Sequence, residues 1–96
     1  MSEIIVKKLT LDEKKELLIP DMPAGSGPWA VWECEPSTFD WHYDSVEKAY
    51  VYEGKARVRT KNQSVELTEG DFVVFPKDLS CRWVVEKKIK KVYKFE

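Results

Sequence analysis

Short apolar runs separated by turn residues make up most of the chain from residue 29 onward. Each run is rich in Val, Tyr, Trp and Phe and soon meets a turn signal, a spacing that is typical of strands in a barrel or a sandwich. The pattern predicts strands at residues 29–35, 39–43, 47–52, 55–60, 64–67, 72–75, 81–86 and 89–95. We therefore expect an all-β fold.

The first 28 residues follow a different pattern. Residues 3–8 are expected to form a strand, and Thr10 and Glu13 have the spacing of a capping box that starts a helix. The helix is predicted over residues 11–18, before Pro20, and the Pro- and Gly-rich stretch 20–28 is predicted to be a loop. Residues 1–96 are thus expected to be one domain, with a strand, helix and loop (1–28) before a barrel (29–96).

Alternation along the strands assigns side chains to faces. In residues 55–61 cations alternate with small or β-branched residues, which predicts one face in water and one in the core. The same rule places Glu47 on the face of Ala49 and Val51. If that face is the interior, the Glu47 carboxylate must find a partner or a cation there.

Composition and charge exclude several partners. The 96 residues include 16 Lys and Arg against 17 Asp and Glu, a balance that does not favour nucleic acid as a partner. No apolar run approaches the roughly 20 residues of a membrane span, and the N-terminus lacks the pattern of a signal peptide, so we expect a cytoplasmic protein without membrane contact. Cys34 and Cys81 have no C-x-x-C spacing, and both are expected to be free thiols.

In two stretches, residues 40–54 and 70–81, the spacing of polar residues, glycines and a proline is similar to that of known sequence motifs. From Asp40 to Glu47, and after six intervening residues to Gly54, the chain is similar to the first cupin motif: H-x-H, three or four residues, E, six residues, G. Gly70 and Pro76 have the spacing of the second motif. Cys81 stands where that motif has its histidine, and Asp78 stands in place of a glycine.

The chain thus resembles the cupin superfamily over about residues 39–85. The resemblance implies a double-stranded β-helix, which is a cupin or jelly-roll barrel. Residues 70–83 look most like those of small single-domain cupins related to the (S)-ureidoglycine aminohydrolase barrel. Many members of that subgroup have no assigned activity.

The resemblance also implies a metal site. It places His42, Glu47 and Cys81 as ligands of a divalent cation, with Asp40 as a further ligand or a catalytic base. The mixed O, N and S donors suit Zn²⁺ best, with Fe²⁺, Ni²⁺ or Mn²⁺ as other occupants. His42 and Glu47 would point oppositely on a regular strand, so their convergence requires a bend at residues 44–45.

Each proposed ligand has a structural interpretation as well. His42 is also compatible with a hydrogen-bonded core histidine, Glu47 with an ion pair to a lysine or arginine, and Cys81 with a small buried hydrophobe. In a metal-free barrel, protonated His42 or an inward cationic side chain would neutralise Glu47. The lysines of 87–88 and 90–91 are interpreted as a solvated turn and protection of an edge strand.

A ligand pocket is expected at the barrel mouth. Its predicted lining consists of Trp41, Tyr43, Tyr52, Phe75 and Trp83. Aromatic residues also fill the interiors of small barrels, so Trp83, on the face of Cys81, is the strongest of these candidates.

Three functions remain open from the sequence. The first is a metal-dependent enzyme that acts on a small polar nitrogen-containing metabolite, as the resemblance implies. The second is a metal-free barrel that binds a small molecule, and the third is a non-catalytic structural module. A homodimer is expected, because small barrels leave open strand edges and residues 3–8 are a candidate for pairing across a two-fold axis.

Overall fold

A computed structural model describes residues 3–96; Met1 and Ser2, which the predicted domain includes, lie outside the described residues. Across this range the elements are β1 (Ile5–Lys8), α1 (Leu11–Glu16), β2 (Ala30–Cys34), β3 (Ser37–His42), β4 (Glu47–Arg59), β5 (Ser64–Thr68), β6 (Asp71–Phe75) and β7 (Ser80–Phe95). The predicted all-β class with a short N-terminal helix is confirmed.

Two long antiparallel strands, β4 and β7, organise the sheet. They pair with each other over almost their whole length. The first part of β4 also pairs with β6 and the second part with β5, while β7 pairs first with β3 and then with β2. Each half of the β4–β7 ribbon therefore belongs to its own layer, β5-β4-β7-β3 or β1-β6-β4-β7-β2, and the main core lies between the two layers.

Both long strands run through positions where turns are predicted. Residues 53–54 and 87–88 stay within β4 and β7, so the two predicted turns are wrong and each pair of predicted strands is one strand. The pairing register shifts between Val51 and Ala56, as expected for a bulge. Glycine and charged residues mark bulges as well as turns, which is why the sequence pattern misled here.

The bulge changes which residues of β4 face the core. Val51 and Ala56 are both fully buried although they are five positions apart, so the alternation changes phase between them. Gly54 makes this possible, since its φ is +96° and a Cβ there would lie 2.2 Å from the carbonyl oxygen of Lys88. As a result, both halves of β4 point apolar side chains into one interior, including Ala56 and Val58 as predicted.

The capping box at the start of the helix is confirmed. The Thr10 hydroxyl accepts from the Glu13 backbone N–H at 3.1 Å, and the Glu13 carboxylate accepts from the Thr10 backbone N–H at 2.9 Å. The helix ends at Glu16, two residues earlier than predicted, because Leu18 adopts a φ of +58°. None of the helices in residues 3–96 is long and apolar enough to cross a membrane.

A second apolar cluster lies outside the main core. Its buried members are Ile19, Trp29, Tyr50, Phe72 and Val92, with Leu9, Leu17, Tyr52 and Val74 packed against them. Residues 9–29, which follow β1, thus cover the outer face of the β1-β6-β4-β7-β2 layer. Strand β1 pairs with β6 of its own chain, and the homodimer stays a prediction.

Candidate functional site

An aromatic cavity of about 390 Å³ lies between the two layers. Trp32 comes from β2, Phe39 and Trp41 from β3, and Trp83 and Tyr93 from β7. Tyr43, directly after β3, and Phe95, near the chain end, complete the aromatic lining. Three residues of the predicted pocket, Trp41, Tyr43 and Trp83, therefore reach this cavity.

The aromatic side chains support one another through ring contacts. Phe39 is stacked on Trp83 with a centroid distance of 6.1 Å, and Trp32 meets Trp83 edge to face at 5.7 Å. Phe75 stacks on Tyr43 at 4.7 Å and is fully buried, so it supports the cavity wall without lining it. Packed rings of this kind hold the cavity in a fixed shape.

Tyr52 does not reach the cavity, contrary to the prediction. Its hydroxyl donates a hydrogen bond to the Pro20 carbonyl oxygen, and its ring packs in the second cluster on the outer face. The reason is strand alternation, since Glu47, Ala49 and Val51 face the interior and the even-numbered residues of this part of β4 face outward. Burial raises the pKa of Tyr52 to about 12, so this hydroxyl remains a donor at neutral pH.

A buried ion pair forms the polar part of the cavity. The Lys91 Nζ lies 2.8 Å from the Glu47 Oε2, and each side chain is only 5% exposed. The ammonium group also lies over the rings of Trp83 and Trp32, 4.7 and 4.8 Å from their centroids. Both charged groups line the cavity, so its polar and aromatic surfaces are continuous.

Lys91 supplies the counter-charge that the inward Glu47 carboxylate requires. Of the open alternatives, an inward lysine is the group that neutralises this carboxylate. The interpretation of Lys91 as solvated edge protection is wrong, because β7 alternates with Ile89 and Lys91 inward and Lys90 outward, where Lys90 pairs with exposed glutamates. Extending the alternation from Ile89 would have found this residue in the sequence.

The second motif positions Tyr43. The Asp78 backbone N–H donates to the Tyr43 carbonyl oxygen at 2.7 Å, and the Tyr43 N–H donates to the Leu79 carbonyl oxygen at 2.8 Å. Asp78 has a φ of +67°, a conformation that glycine adopts at no steric cost, which explains why glycine is found at this place in the motif. Burial and the nearby Glu47 charge raise the pKa of Tyr43, which keeps its hydroxyl protonated.

Cys81 is buried beside the cavity as a neutral thiol. Its Sγ lies 3.7 Å from the Trp41 carbonyl oxygen, to which it donates. Burial raises the pKa of the Cys81 thiol to about 11, and the Glu47 charge acts in the same direction. Metals bind the thiolate, whereas Cys81 is here a thiol that donates to a backbone carbonyl oxygen.

His42 and Asp40 lie on the outer face of β3. Because Phe39 and Trp41 point inward, the residues between and after them point outward. The His42 side chain is 49% exposed, with Nδ1 2.8 Å from the Ser80 hydroxyl. Asp40 accepts from Arg82 Nε at 2.9 Å, and this bond lowers the pKa of the Asp40 carboxyl. Neither side chain is directed into the cavity.

The predicted metal ligands are therefore not brought together. The bend at residues 44–45 is present, but it turns the chain after His42 and leaves that side chain outside, while Glu47 is inside. Among residues 3–96, no group of three or more His, Cys, Asp or Glu side chains could hold a metal ion. The residues present do not fit the metal site that the resemblance implies.

The barrel and its motifs define the class of protein. Residues 22–93 match the EutQ-like cupin domain, and the chain belongs to this cupin family. It is similar to a DUF861 family protein from Thermotoga maritima, with 38% identity over 98% of this chain and 100% of the other, at a TM-score of 0.87. Among curated protein sequences, none matches this chain.

Two more distant structures show the same fold. The EutQ protein of Clostridium difficile is 21% identical over 94% of this chain, at a TM-score of 0.63, and the chain spans 64% of its length. A cupin-2 domain protein from Shewanella frigidimarina is 18% identical over 92% of this chain and 94% of the other, at a TM-score of 0.61. The predicted cupin barrel is confirmed.

Proposed function

We propose that this cupin domain binds a small molecule in its aromatic cavity without the help of a metal ion. The observation that carries the proposal is the Glu47–Lys91 pair at the wall of that cavity. Burying two charges is expensive, and an apolar pair of similar volume often stabilises a fold as well or better. A pair placed beside an aromatic cavity is therefore best explained as part of a binding site.

The size of the cavity limits the ligand. Ligand pockets usually measure about 300–1,000 Å³, and this cavity is near the lower end of that range. The rings of Trp32, Trp83 and Tyr93 surround the Lys91 ammonium, so the cavity combines apolar aromatic walls with a charged pair. A compound with one or two rings and one polar group matches this combination of surfaces.

The competing proposal is a metal-dependent enzyme for a nitrogen-containing metabolite, as the finer resemblance to the (S)-ureidoglycine aminohydrolase barrel implies. That function requires His42, Glu47 and Cys81 to share one cation. The binding function is better supported, because Lys91 supplies the positive charge that Glu47 needs and His42 points away from both. Stoichiometric metal in protein purified without an affinity tag or added metal would favour the enzyme.

The experiment is a titration followed by the indole N–H signals of the tryptophans in nuclear magnetic resonance spectra. The probes are indole, phenol, benzamide and benzoate, each taken to millimolar concentration. We expect at least one probe to shift the signals of Trp32 and Trp83 saturably. Trp29 is the internal control, because it is buried in the second cluster and its Nε1 donates to the Leu17 carbonyl oxygen.

Two results would contradict the binding function. One is the absence of a saturable shift with every probe. The other is an equal shift of Trp29, which would indicate a general effect of the probe on the protein. In either case the structural module would be the better description of this barrel.

A further inference from the structure

We propose that the Glu47–Lys91 pair makes the cavity select an uncharged ligand with a planar hydrogen-bonding head group, of which an aromatic carboxamide is the simplest example. Carboxylates and amidinium cations of the same shape are rejected. This inference rests on the proposed binding function and adds the charge and chemical class of the ligand.

The charges that line the cavity already cancel. Glu47 and Lys91 are the charged side chains of its lining, and they contact each other at 2.8 Å. A charged ligand would lose its hydration on entry without finding a free counter-ion. An uncharged ligand avoids this cost and still meets polar partners.

The pair offers donors and acceptors side by side. The Lys91 ammonium has three N–H groups, of which one is given to Glu47. The Glu47 carboxylate has two oxygens and can accept further hydrogen bonds beyond the one from Lys91. A primary amide carries a carbonyl acceptor and an N–H donor in one plane, so it can bond to both members of the pair at once.

The aromatic walls act against both kinds of ion. The ring faces of Trp32 and Trp83 favour cations, but the Lys91 ammonium already occupies them at 4.8 and 4.7 Å. A cationic ligand would meet the charge of Lys91 there. A carboxylate would meet Glu47 and the negative ring faces, so neither ion gains what the amide gains.

Three compounds of nearly identical shape test this inference: benzamide, benzoate and benzamidine, which at pH 7 are neutral, negative and positive. Affinities are measured from the Trp32 and Trp83 indole signals. For the unmodified protein we expect benzamide to bind at least about tenfold more tightly than either ion. The order of the three affinities tests the proposal even if a variant fails to fold.

Two substitutions should reverse the preference. Glu47→Gln keeps the shape of the carboxylate and leaves Lys91 without its counter-ion, so benzoate should become the tightest of the three ligands. Lys91→Met removes the ammonium and leaves Glu47 alone, so benzamidine should become the tightest. The double variant Glu47→Gln/Lys91→Met is the matched control, and it should again prefer the neutral amide.

The outcomes separate this inference from the function beneath it. If the three compounds bind the unmodified protein with equal affinity, or an ion binds best, the charge selection is wrong and the binding function stands. A preference that stays the same in both single variants also overturns the selection by the pair. If none of the compounds binds any of the proteins, the charge selection is wrong, and so is the proposal that the ligand is an aromatic compound with one polar group.

Discussion

Removing either Glu47 or Lys91 alone should destabilise the fold strongly. Lys91→Met leaves a buried carboxylate without its counter-charge, which should lower the free energy of unfolding by about 3–5 kcal/mol. The double variant Glu47→Gln/Lys91→Met buries no charge and should recover most of the loss. Urea denaturation at pH 7 measures all three proteins.

Lys90→Met is the control for this prediction. Lys90 is the neighbouring residue on β7, but it points outward and pairs with Glu33 and Glu53 at 3.4 Å. Exposed pairs contribute about 0–1 kcal/mol each, so a small loss is expected. An equally large loss for Lys90→Met, or no recovery in the double variant, would show that the buried pair is not the cause.

The Cys81 thiol should make the fold sensitive to alkaline pH. Its pKa in the folded chain is raised from an ordinary value of 9.0 to about 11, so the folded state keeps a proton that the unfolded state loses. The free energy of unfolding should therefore fall as the pH rises from about 9 to 11. Cys81→Ala should show a shallower fall in urea denaturation over this range, and an unchanged slope would contradict the assignment.

At the scale of the elements, the β4 bulge depends on Gly54. An alanine there would have to adopt a φ of +96° and would place its Cβ 2.2 Å from the Lys88 carbonyl oxygen. Gly54→Ala should therefore cost more than about 2 kcal/mol of stability or prevent folding. Thermal and urea unfolding of the purified variant measure the loss.

Gly27 provides the matched control for this backbone argument. It also has a positive φ, +56°, but nothing lies within 4 Å of the position of its Cβ. Gly27→Ala should therefore carry the conformational cost alone, about 1 kcal/mol. If the two variants were equally stable, steric contact between β4 and β7 could not be what fixes the bulge.

The elements that the sequence predicted well are those governed by local rules. The capping box needs only Thr10 and Glu13, which are three positions apart in the chain, and the inward face of Glu47 follows from alternation within one strand. The bend between Val51 and Ala56 depends on how β4 meets β7, a contact between distant parts of the chain. Local patterns do not contain that information.

The candidate site, too, was predictable from the sequence only where local rules decide which way a side chain points. Trp41, Tyr43 and Trp83 follow from alternation and from their place in the motifs. His42 was assigned by its position in the motif, although its neighbours Trp41 and Tyr43 already occupy the inward face of the segment. The composition of residues 87–91 favours a solvated face for all its lysines, and only the strand alternation that buried Ile89 sets places Lys91 inside.

At the scale of the whole molecule, β1 leaves a strand edge available for pairing. It is hydrogen-bonded to β6 on one side, and Ile5 is 57% exposed. We predict a homodimer through this edge, because an open edge strand presents unpaired backbone N–H and C=O groups that can pair with a second copy of the chain. Light scattering at micromolar concentration should give twice the chain mass of 11.2 kDa.

Ile5→Lys tests the surface of this predicted dimer. A charge on an edge strand opposes edge-to-edge pairing, so the variant should be monomeric and remain folded. A monomeric parent protein would remove the dimer prediction altogether. A dimer that persists in the variant would move the interface to another face of the barrel.

We expect the intact molecule to keep its full stability without a metal ion. The counter-charge of Glu47 belongs to the chain itself, so a chelator should leave the midpoint of thermal unfolding unchanged. His42→Ala removes a half-exposed side chain on the outer face, so it should change the free energy of unfolding by no more than about 0.5 kcal/mol. In a domain of this size, that change shifts the midpoint by about 4 °C or less. A shared metal would give the opposite results, because chelator would lower the midpoint and His42→Ala would abolish that sensitivity. Thermal unfolding of both proteins with and without chelator separates the two cases, and a chelator-dependent midpoint in the parent protein would overturn the metal-free barrel.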